Sequence, residues 1–136
     1  MGKKEIYKQK NEAWLQEKQS EPGVMALRGG VLYEVIESAS DADAAKPSPR
    51  SIVTCHYRGS TIGGKVFDET FRSGCPAAFR VNELISGFQI ALVNMRIGDH
   101  WRVFIPSDMG YGSRGAGSDI PGGSTLIFEI KLLGIG

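Results

Sequence analysis

The stretch that decides the fold runs from residue 53 to residue 68 and reads VTCHYRGSTIGGKVFD. Val53, Cys55 and Tyr57 alternate with polar residues, which is the period of two expected for a strand with one buried face. The following Gly-Gly pair supplies the positive φ angles that a tight turn requires. Residues 65–68 are therefore predicted to run back as the second strand of a hairpin.

The unusual feature of this hairpin is an aromatic pair beside a carboxylate. Tyr57, Phe67 and Asp68 could together form the wall of a pocket. The alternative is an ordinary core hairpin with Asp68 in a surface turn. The hairpin by itself favours the ordinary interpretation, so the rest of the chain must decide.

Length and composition narrow the class of protein. The 136 residues suffice for one domain with its own core, and 16 basic against 15 acidic residues leave a net charge of +1. No nucleic-acid or membrane partner is predicted from this balance. Cys55 and Cys75 form no disulfide framework or metal spacing, and no signal peptide or apolar span is visible, so we expect a cytoplasmic location. An export leader outside this sequence would change that expectation.

Residues 3–19 are charged and free of Gly and Pro, which predicts a helix that ends near Pro22. We expect residues 1–22 to form an N-terminal helical arm and residues 23–136 to form the main domain. The arm is predicted to pack on the domain edge or to project. It lacks sustained heptads, so we expect a monomer, with dimerisation through the arm as the alternative. The helical stripe predicted to face the domain comprises Ile6, Lys10, Ala13, Trp14 and Glu17.

The remaining pattern predicts an α+β fold, an antiparallel twisted sheet with one short helix against one face. Strands are expected at residues 24–27, 31–37, 77–81, 100–105 and 125–133, in addition to the hairpin. The helix is expected to begin at Ser86, with Ser86 and Gln89 as a capping box. Its apolar face would lie on the sheet and leave a cleft where the two diverge.

Several kinds of chemistry are disfavoured by the sequence. Residues 110–115 read GYGSRG, but Gly117 and Pro121 follow where a nucleotide site needs a helix. Cys55 and His56 are neighbours on a strand and point to opposite faces, so they cannot form a nucleophile–base pair. Neither a zinc ligand set nor a spaced carboxylate pair is present. We therefore predict no metal, no cofactor and no covalent nucleophile.

An apolar and aromatic set with few polar members remains as the candidate site. These residues could simply be the core of a small domain, and for Phe79 that alternative is the stronger one. Leu84 and Ile85 favour a site, because they precede a helix whose first amides point outward and can donate to a bound carbonyl. The full set comprises Tyr57, Phe67, Asp68, Phe79, Leu84, Ile85, Phe88, Tyr111, Ile120 and Phe128.

The motifs from residue 53 to residue 133 resemble the FKBP-type peptidyl-prolyl cis-trans isomerases. They occur in the order and spacing of that family. Residues 10–16 and 30–36 further resemble the lead-in of bacterial members of the macrophage-infectivity-potentiator type, without their long dimerising helix. The matching pieces are residues 53–59 (VTCHYRG), 64–68 (GKVFD), 84–88 (LISGF), 95–98 (MRIG), 111–112 (YG) and 120–133 (IPGGSTLIFEIKLL).

The resemblance implies a role for each candidate residue. Phe88 would form the pocket floor in place of the family's usual Trp, and the Ile85 amide would receive a substrate carbonyl. Ala77, Ala116 and Asp119 depart from the family pattern at the rim, which bears on substrate preference and macrolide affinity. Catalytic roles are predicted for Tyr57, Phe67, Asp68, Phe88, Tyr111 and Phe128, and substrate-binding roles for Leu84, Ile85, Ile120 and Phe79.

The predicted activity is acceleration of X-Pro bond rotation by non-covalent binding of the twisted amide in an apolar aromatic pocket. The resemblance implies proline-containing peptides and unfolded proteins as partners, and rapamycin-like macrolides as ligands. The alternative is a proline-peptide-binding or chaperone module with little catalysis. A proline-peptide isomerisation assay distinguishes the two.

Overall fold

Seven antiparallel strands and two α-helices make up the fold in the computed structural model, which describes residues 1–136. No helix combines the length and the apolar character that crossing a lipid bilayer requires. The helices are α1 (Lys3–Gln19) and α2 (Ser86–Leu92). The strands are β1 (Met25–Ala26), β2 (Leu32–Glu37), β3 (Ile52–Thr61), β4 (Val66–Glu69), β5 (Ala77–Arg80), β6 (His100–Ile105) and β7 (Leu126–Ile135).

The strands form one sheet in the order β1-β2-β6-β7-β3-β4, with β5 also paired to β3. One edge of β3 is thus shared, since residues 52–55 pair with β5 and residues 58–60 pair with β4. The register between β3 and β4 shifts between Gly59 and Ser60. Strands β4 and β5 therefore lie one after the other along the same edge of β3. The predicted α+β fold is confirmed.

The core lies between α2 and the inward face of the sheet. Val53, Cys55 and Tyr57 are buried, whereas Thr54 and His56 between them are only partly so, as the period of two predicts. Strand β7 follows the same rule, and α2 is buried along most of its length. The buried members of β7 and α2 are Leu126, Phe128, Ile130, Leu132, Phe88, Ile90, Ala91 and Leu92.

Helix α1 has the predicted bounds but not the predicted face. Trp14 packs on Phe104 with ring centroids 5.7 Å apart, on the outer side of the sheet, and Asn11 is fully buried. The covered face of the helix mixes apolar and polar groups, so the helix does not need a continuous apolar stripe. Its members are Tyr7, Asn11, Trp14, Leu15 and Lys18. The other four members of the predicted stripe, Ile6, Lys10, Ala13 and Glu17, are exposed.

The predicted capping box at the start of α2 is wrong. The N-cap is Ile85, which has extended backbone, and no side chain caps the helix. Ser86 is therefore already the first helical residue. The Gln89 side chain instead donates from Nε2 to the Leu84 carbonyl at 2.6 Å. This bond fastens the segment before the helix to its first turn.

Candidate functional site

Five aromatic rings from five different elements meet beside the N-terminus of α2. Phe88 lies 5.1 Å from Phe128 between ring centroids, and Phe67 lies 5.7 Å from Phe128. Tyr57 lies 5.6 Å from Phe79 and 6.0 Å from Phe88. These four pairs are edge-to-face, which is a favoured arrangement for aromatic rings. The structure thus brings together the five rings that the sequence predicted as site residues.

Gly59 allows these rings to approach, and sequence reasoning did not select it. It follows Tyr57 by two residues on β3 and faces inward. A Cβ there would lie 2.6 Å from Phe128 Cε1 and 2.6 Å from Phe67 Cζ, well inside van der Waals contact. The available signal was a glycine on the buried face of a strand, which marks a close approach of neighbouring groups.

The polar member of the cluster is the Tyr57 hydroxyl, which donates to Asp68 Oδ2 at 2.5 Å. Burial, with a further contribution from the hydrogen bond to Asp68, raises the pKa of Tyr57. The neighbouring Tyr111 hydroxyl contributes in the same direction. Tyr57 is therefore a neutral donor at physiological pH, and Asp68 fixes the direction in which it donates.

The backbone of Tyr57 is held by Thr70, a second residue that sequence reasoning missed. The Tyr57 amide donates to Thr70 Oγ1 at 2.8 Å, and the Thr70 amide donates to the Tyr57 carbonyl at 2.9 Å. Thr70 Oγ1 also lies 2.9 Å from His56 Nδ1 on the outer face. The contact joins two residues that are thirteen positions apart across the hairpin. A local sequence pattern therefore could not predict it.

The segment before α2 provides a further wall. Leu84 and Ile85 are half-buried and pack against the core. The Ile85 amide donates to no other backbone group. It stands at the N-cap of α2, where backbone amides point along the helix axis away from the helix. This amide is thus a free donor at the edge of the aromatic cluster.

Residues 106–124, which we call the lid, join β6 to β7 beside the cluster. Ile120 is buried in the core, whereas Tyr111 is 38% exposed. The Ala116 amide donates to the Ile120 carbonyl at 2.8 Å and closes the lid on itself. Asp119, one of the rim departures, pairs with Lys65 at the hairpin tip at 2.8 Å. The lid contains only one short 3₁₀ turn, Ser107–Met109, and its glycine motif begins no α-helix.

The candidate residues therefore fall into a buried group and an accessible group. Asp68 and Tyr111 are exposed polar groups, and their roles, like those of the rings, remain predictions. Cys55 is buried with its pKa raised to about 12 by burial, so its thiol is not a nucleophile at neutral pH. A cavity of about 950 Å³ lies elsewhere, between α1 and the lid, with a mostly polar and charged lining. The buried or half-buried candidates are Tyr57, Phe67, Phe79, Leu84, Ile85, Phe88, Ile120 and Phe128.

Comparison with known proteins yields relatives that match nearly the whole chain. The outer membrane protein MIP of Legionella longbeachae is 40% identical over 98% of this chain and 56% of its own length. The FKBP-type 22 kDa peptidyl-prolyl cis-trans isomerase of Escherichia coli is 40% identical over 90% of this chain and 58% of its own length. The chain thus spans little more than half the length of these curated relatives.

The prediction of a cytoplasmic location is wrong. The Legionella relative, which matches 98% of this chain, is named as an outer membrane protein. The prediction depended on two unpaired cysteines and on a charged first segment. Neither feature fixes a compartment, because a domain without disulfides folds equally well on either side of a membrane.

A solved structure and a family model agree on what kind of protein this is. The peptidyl-prolyl cis-trans isomerase of Pseudomonas syringae superimposes with a TM-score of 0.90 at 32% identity, covering 100% of this chain and 98% of that one. The family model described as FKBP-type peptidyl-prolyl cis-trans isomerase matches residues 43–133. That range contains all ten candidate site residues. The chain therefore belongs to the family of FKBP-type peptidyl-prolyl cis-trans isomerases, as its motifs predicted.

Proposed function

We propose that this chain accelerates rotation about X-Pro peptide bonds by binding the twisted amide in the aromatic cluster. The observation that carries the proposal is the convergence of five rings on the free amide at the start of α2. The family binds proline-containing peptides. Unfolded proteins would present the same X-Pro segments in extended chains.

The physical basis is the loss of amide resonance during rotation. Rotation about a peptide bond meets a barrier of about 18–20 kcal/mol, because resonance is lost as the bond twists. The planar amide carries more charge on its oxygen than the twisted amide does. A pocket walled by apolar rings therefore favours the twisted form, which is differential binding of the transition state. No proton transfer is needed, and the raised pKa of Tyr57 agrees with a group that donates without ionising.

We assign the polar groups to orientation of the peptide. The Ile85 amide would donate to a substrate carbonyl, and the exposed Tyr111 hydroxyl would donate to a flanking carbonyl. Asp68 would hold Tyr57 through the 2.5 Å hydrogen bond so that the pocket wall keeps its shape. Each assignment is a positioning effect of the kind that places a reacting bond in a productive geometry.

The test is an isomerisation assay on a proline peptide with Phe128→Leu and Tyr111→Phe. Phe128→Leu is preferred to Ala, because replacing a buried Phe by Ala typically removes about 3–5 kcal/mol from a stability of about 5–15 kcal/mol. Both variants should remain folded and turn over more slowly, with Tyr33→Phe as the matched control. Parent-like rates in both variants would contradict the site assignment. Inhibition of the parent by a rapamycin-like macrolide would support it.

A second candidate function is that of a proline-peptide-binding or chaperone module that accelerates X-Pro rotation only slightly. Two rim features favour it: a small residue at Ala77 on β5, and an acidic residue at Asp119, which forms an ion pair with Lys65. The same assay separates the two functions. Binding of the peptide without acceleration of its isomerisation would decide for the binding module.

We also propose that this chain is monomeric. Helix α1 places Trp14 against Phe104 of its own sheet, and Lys18 lies 5.0 Å from the Trp14 ring. The most apolar part of the helix is thus covered within the chain. A mass measured by light scattering equal to that of one chain would support this proposal, and twice that mass would contradict it.

A further inference from the structure

We propose that helix α1 positions the lid through a hydrogen-bond relay from Tyr7 and a buried amide at Asn11, and that this contact sets the affinity for substrate. The inference rests on the proposed function, because it takes the lid residues Ile120 and Tyr111 as substrate contacts. It gives the N-terminal helix a role at a site that the helix does not touch.

The relay from Tyr7 has a defined direction. Ser124 Oγ donates to the Pro121 carbonyl at 2.6 Å. A serine hydroxyl has one proton to donate, so the 2.8 Å contact between Tyr7 and Ser124 must have the Tyr7 hydroxyl as its donor. Hydrogen bonds in such a chain strengthen one another. The relay ends on Pro121, the residue directly after Ile120.

Asn11 makes a second contact, with the residue that directly follows the lid. Its side chain is fully buried, its Oδ1 accepts from the Thr125 amide at 2.8 Å, and its Nδ2 donates to the Tyr7 carbonyl at 2.8 Å. Thr125 Oγ1 also lies 3.3 Å from the Asn11 carbonyl, to which it donates. Both ends of the amide are therefore used. The helix is locked in register with residue 125, immediately before β7 begins.

The lid transmits this contact to the pocket side. The Gly123 amide donates to the Gly112 carbonyl at 3.0 Å, which joins the two limbs of the lid. A Cβ at Gly123 would lie 3.1 Å from Lys8 Cβ, so the helix packs closely on this part of the lid. Ile120 lies between these two limbs in sequence, and its carbonyl accepts from the Ala116 amide. It belongs to the core cluster. Movement of α1 would thus shift the residues that border the rings.

The contact is separate from the core that stabilises the domain. None of the 18 residues of the main core cluster comes from α1. Removal of one hydroxyl from Tyr7 should therefore loosen the lid without opening the core. This separation is what distinguishes a positioning role from a general contribution to folding.

The experiment compares Tyr7→Phe, Ser124→Ala and the double variant with the parent. Tyr33→Phe is the matched control, because it makes the same chemical change on β2, where the ring stacks on Trp101. Loss of one neutral hydrogen bond corresponds to about fivefold in an equilibrium constant. We expect KM for a proline peptide to rise about fivefold in Tyr7→Phe with kcat within about twofold, the pattern of lost uniform binding. The double variant should show no further rise beyond Ser124→Ala, because Ser124→Ala already removes both hydrogen bonds of the relay.

Amide hydrogen exchange distinguishes a positioning role of α1 from a general effect on the stability of the fold. Exchange at Ala116 and Gly123 should become faster in Tyr7→Phe, while exchange at Ile130 in the centre of the sheet stays unchanged. An unchanged KM, an equal effect in Tyr33→Phe, or equally faster exchange at Ile130 would overturn the proposal. If the parent shows no catalysis, the proposed function fails, and exchange at Ala116 and Gly123 still tests the lid contact.

Discussion

Gly59→Ala tests whether the aromatic cluster depends on one missing Cβ. Gly59 lies in register between Phe128 on β7 and Asp68 on β4. A Cβ there lies 2.6 Å from an atom of Phe128 and 2.6 Å from an atom of Phe67. Carbon atoms in contact are normally about 3.5–4.0 Å apart, so both rings would have to move by about 1 Å.

The magnitude of the effect follows from this displacement. Overpacking a close-packed core typically lowers stability by about 1–3 kcal/mol, which a domain of ordinary stability survives. A misplacement of about 1 Å in a site can lower the rate about 100-fold. We therefore expect kcat/KM for a proline peptide to fall by about 10- to 100-fold in a protein that still unfolds cooperatively in urea.

The control is Gly63→Ala at the hairpin tip, where an added Cβ meets nothing within 4 Å. It should leave both turnover and stability near those of the parent. Adding Phe67→Leu to Gly59→Ala should recover part of the lost stability, because the smaller side chain makes room. Turnover of Gly59→Ala within twofold of the parent would refute the claim that the rings require this gap.

Three further predictions concern the reactivity of the two thiols, the stability of the protein at alkaline pH, and the hydrogen bond between Thr70 and the Tyr57 amide. A thiol reagent at neutral pH should label exposed Cys75 and leave buried Cys55 unlabelled until the protein is unfolded, as measured by mass spectrometry. Burial raises the pKa of Cys55 from its ordinary value of 9.0 to about 12, so the unfolded chain releases this proton first and stability should fall as pH rises from 9 to 12. One such group contributes about 1.4 kcal/mol per pH unit, and urea unfolding of Cys55→Val should show a smaller alkaline loss. Thr70→Val should lower stability by about 1–3 kcal/mol by leaving the Tyr57 amide unpaired, whereas Thr70→Ser should restore it.

The parts of the fold that depend on local pattern could be predicted from the sequence. Val53, Cys55 and Tyr57 are buried because a strand with one covered face repeats every two residues. The bounds of α1 could be predicted because nothing in residues 3–19 interrupts a helix. The rings of the site could be predicted from family motifs, whose order and spacing already contain the tertiary arrangement.

The parts that depend on long-range polar contacts could not be predicted. Asn11 is a polar residue in a charged helix, and only its pairing with Thr125, 114 residues away, explains why it is buried. Thr70 likewise gains its role from Tyr57 across the hairpin. Gln89 fits a capping pattern by spacing, yet its side chain reaches back to Leu84. Each of these contacts satisfies a hydrogen-bonding group, and sequence periodicity contains no information on such pairings.

The position of β7 in the sheet has a consequence for biosynthesis. β7 is the last strand in sequence, yet it lies between β6 and β3 and carries Phe128 into the ring cluster. A nascent chain that has not yet released β7 from the ribosome can form the pairings of β1-β2-β6 and of β3 with β4 and β5, but it cannot join these two parts of the sheet. The unpaired edges of β3 and β6 would therefore remain open to pairing with other chains until β7 is free to fold between them.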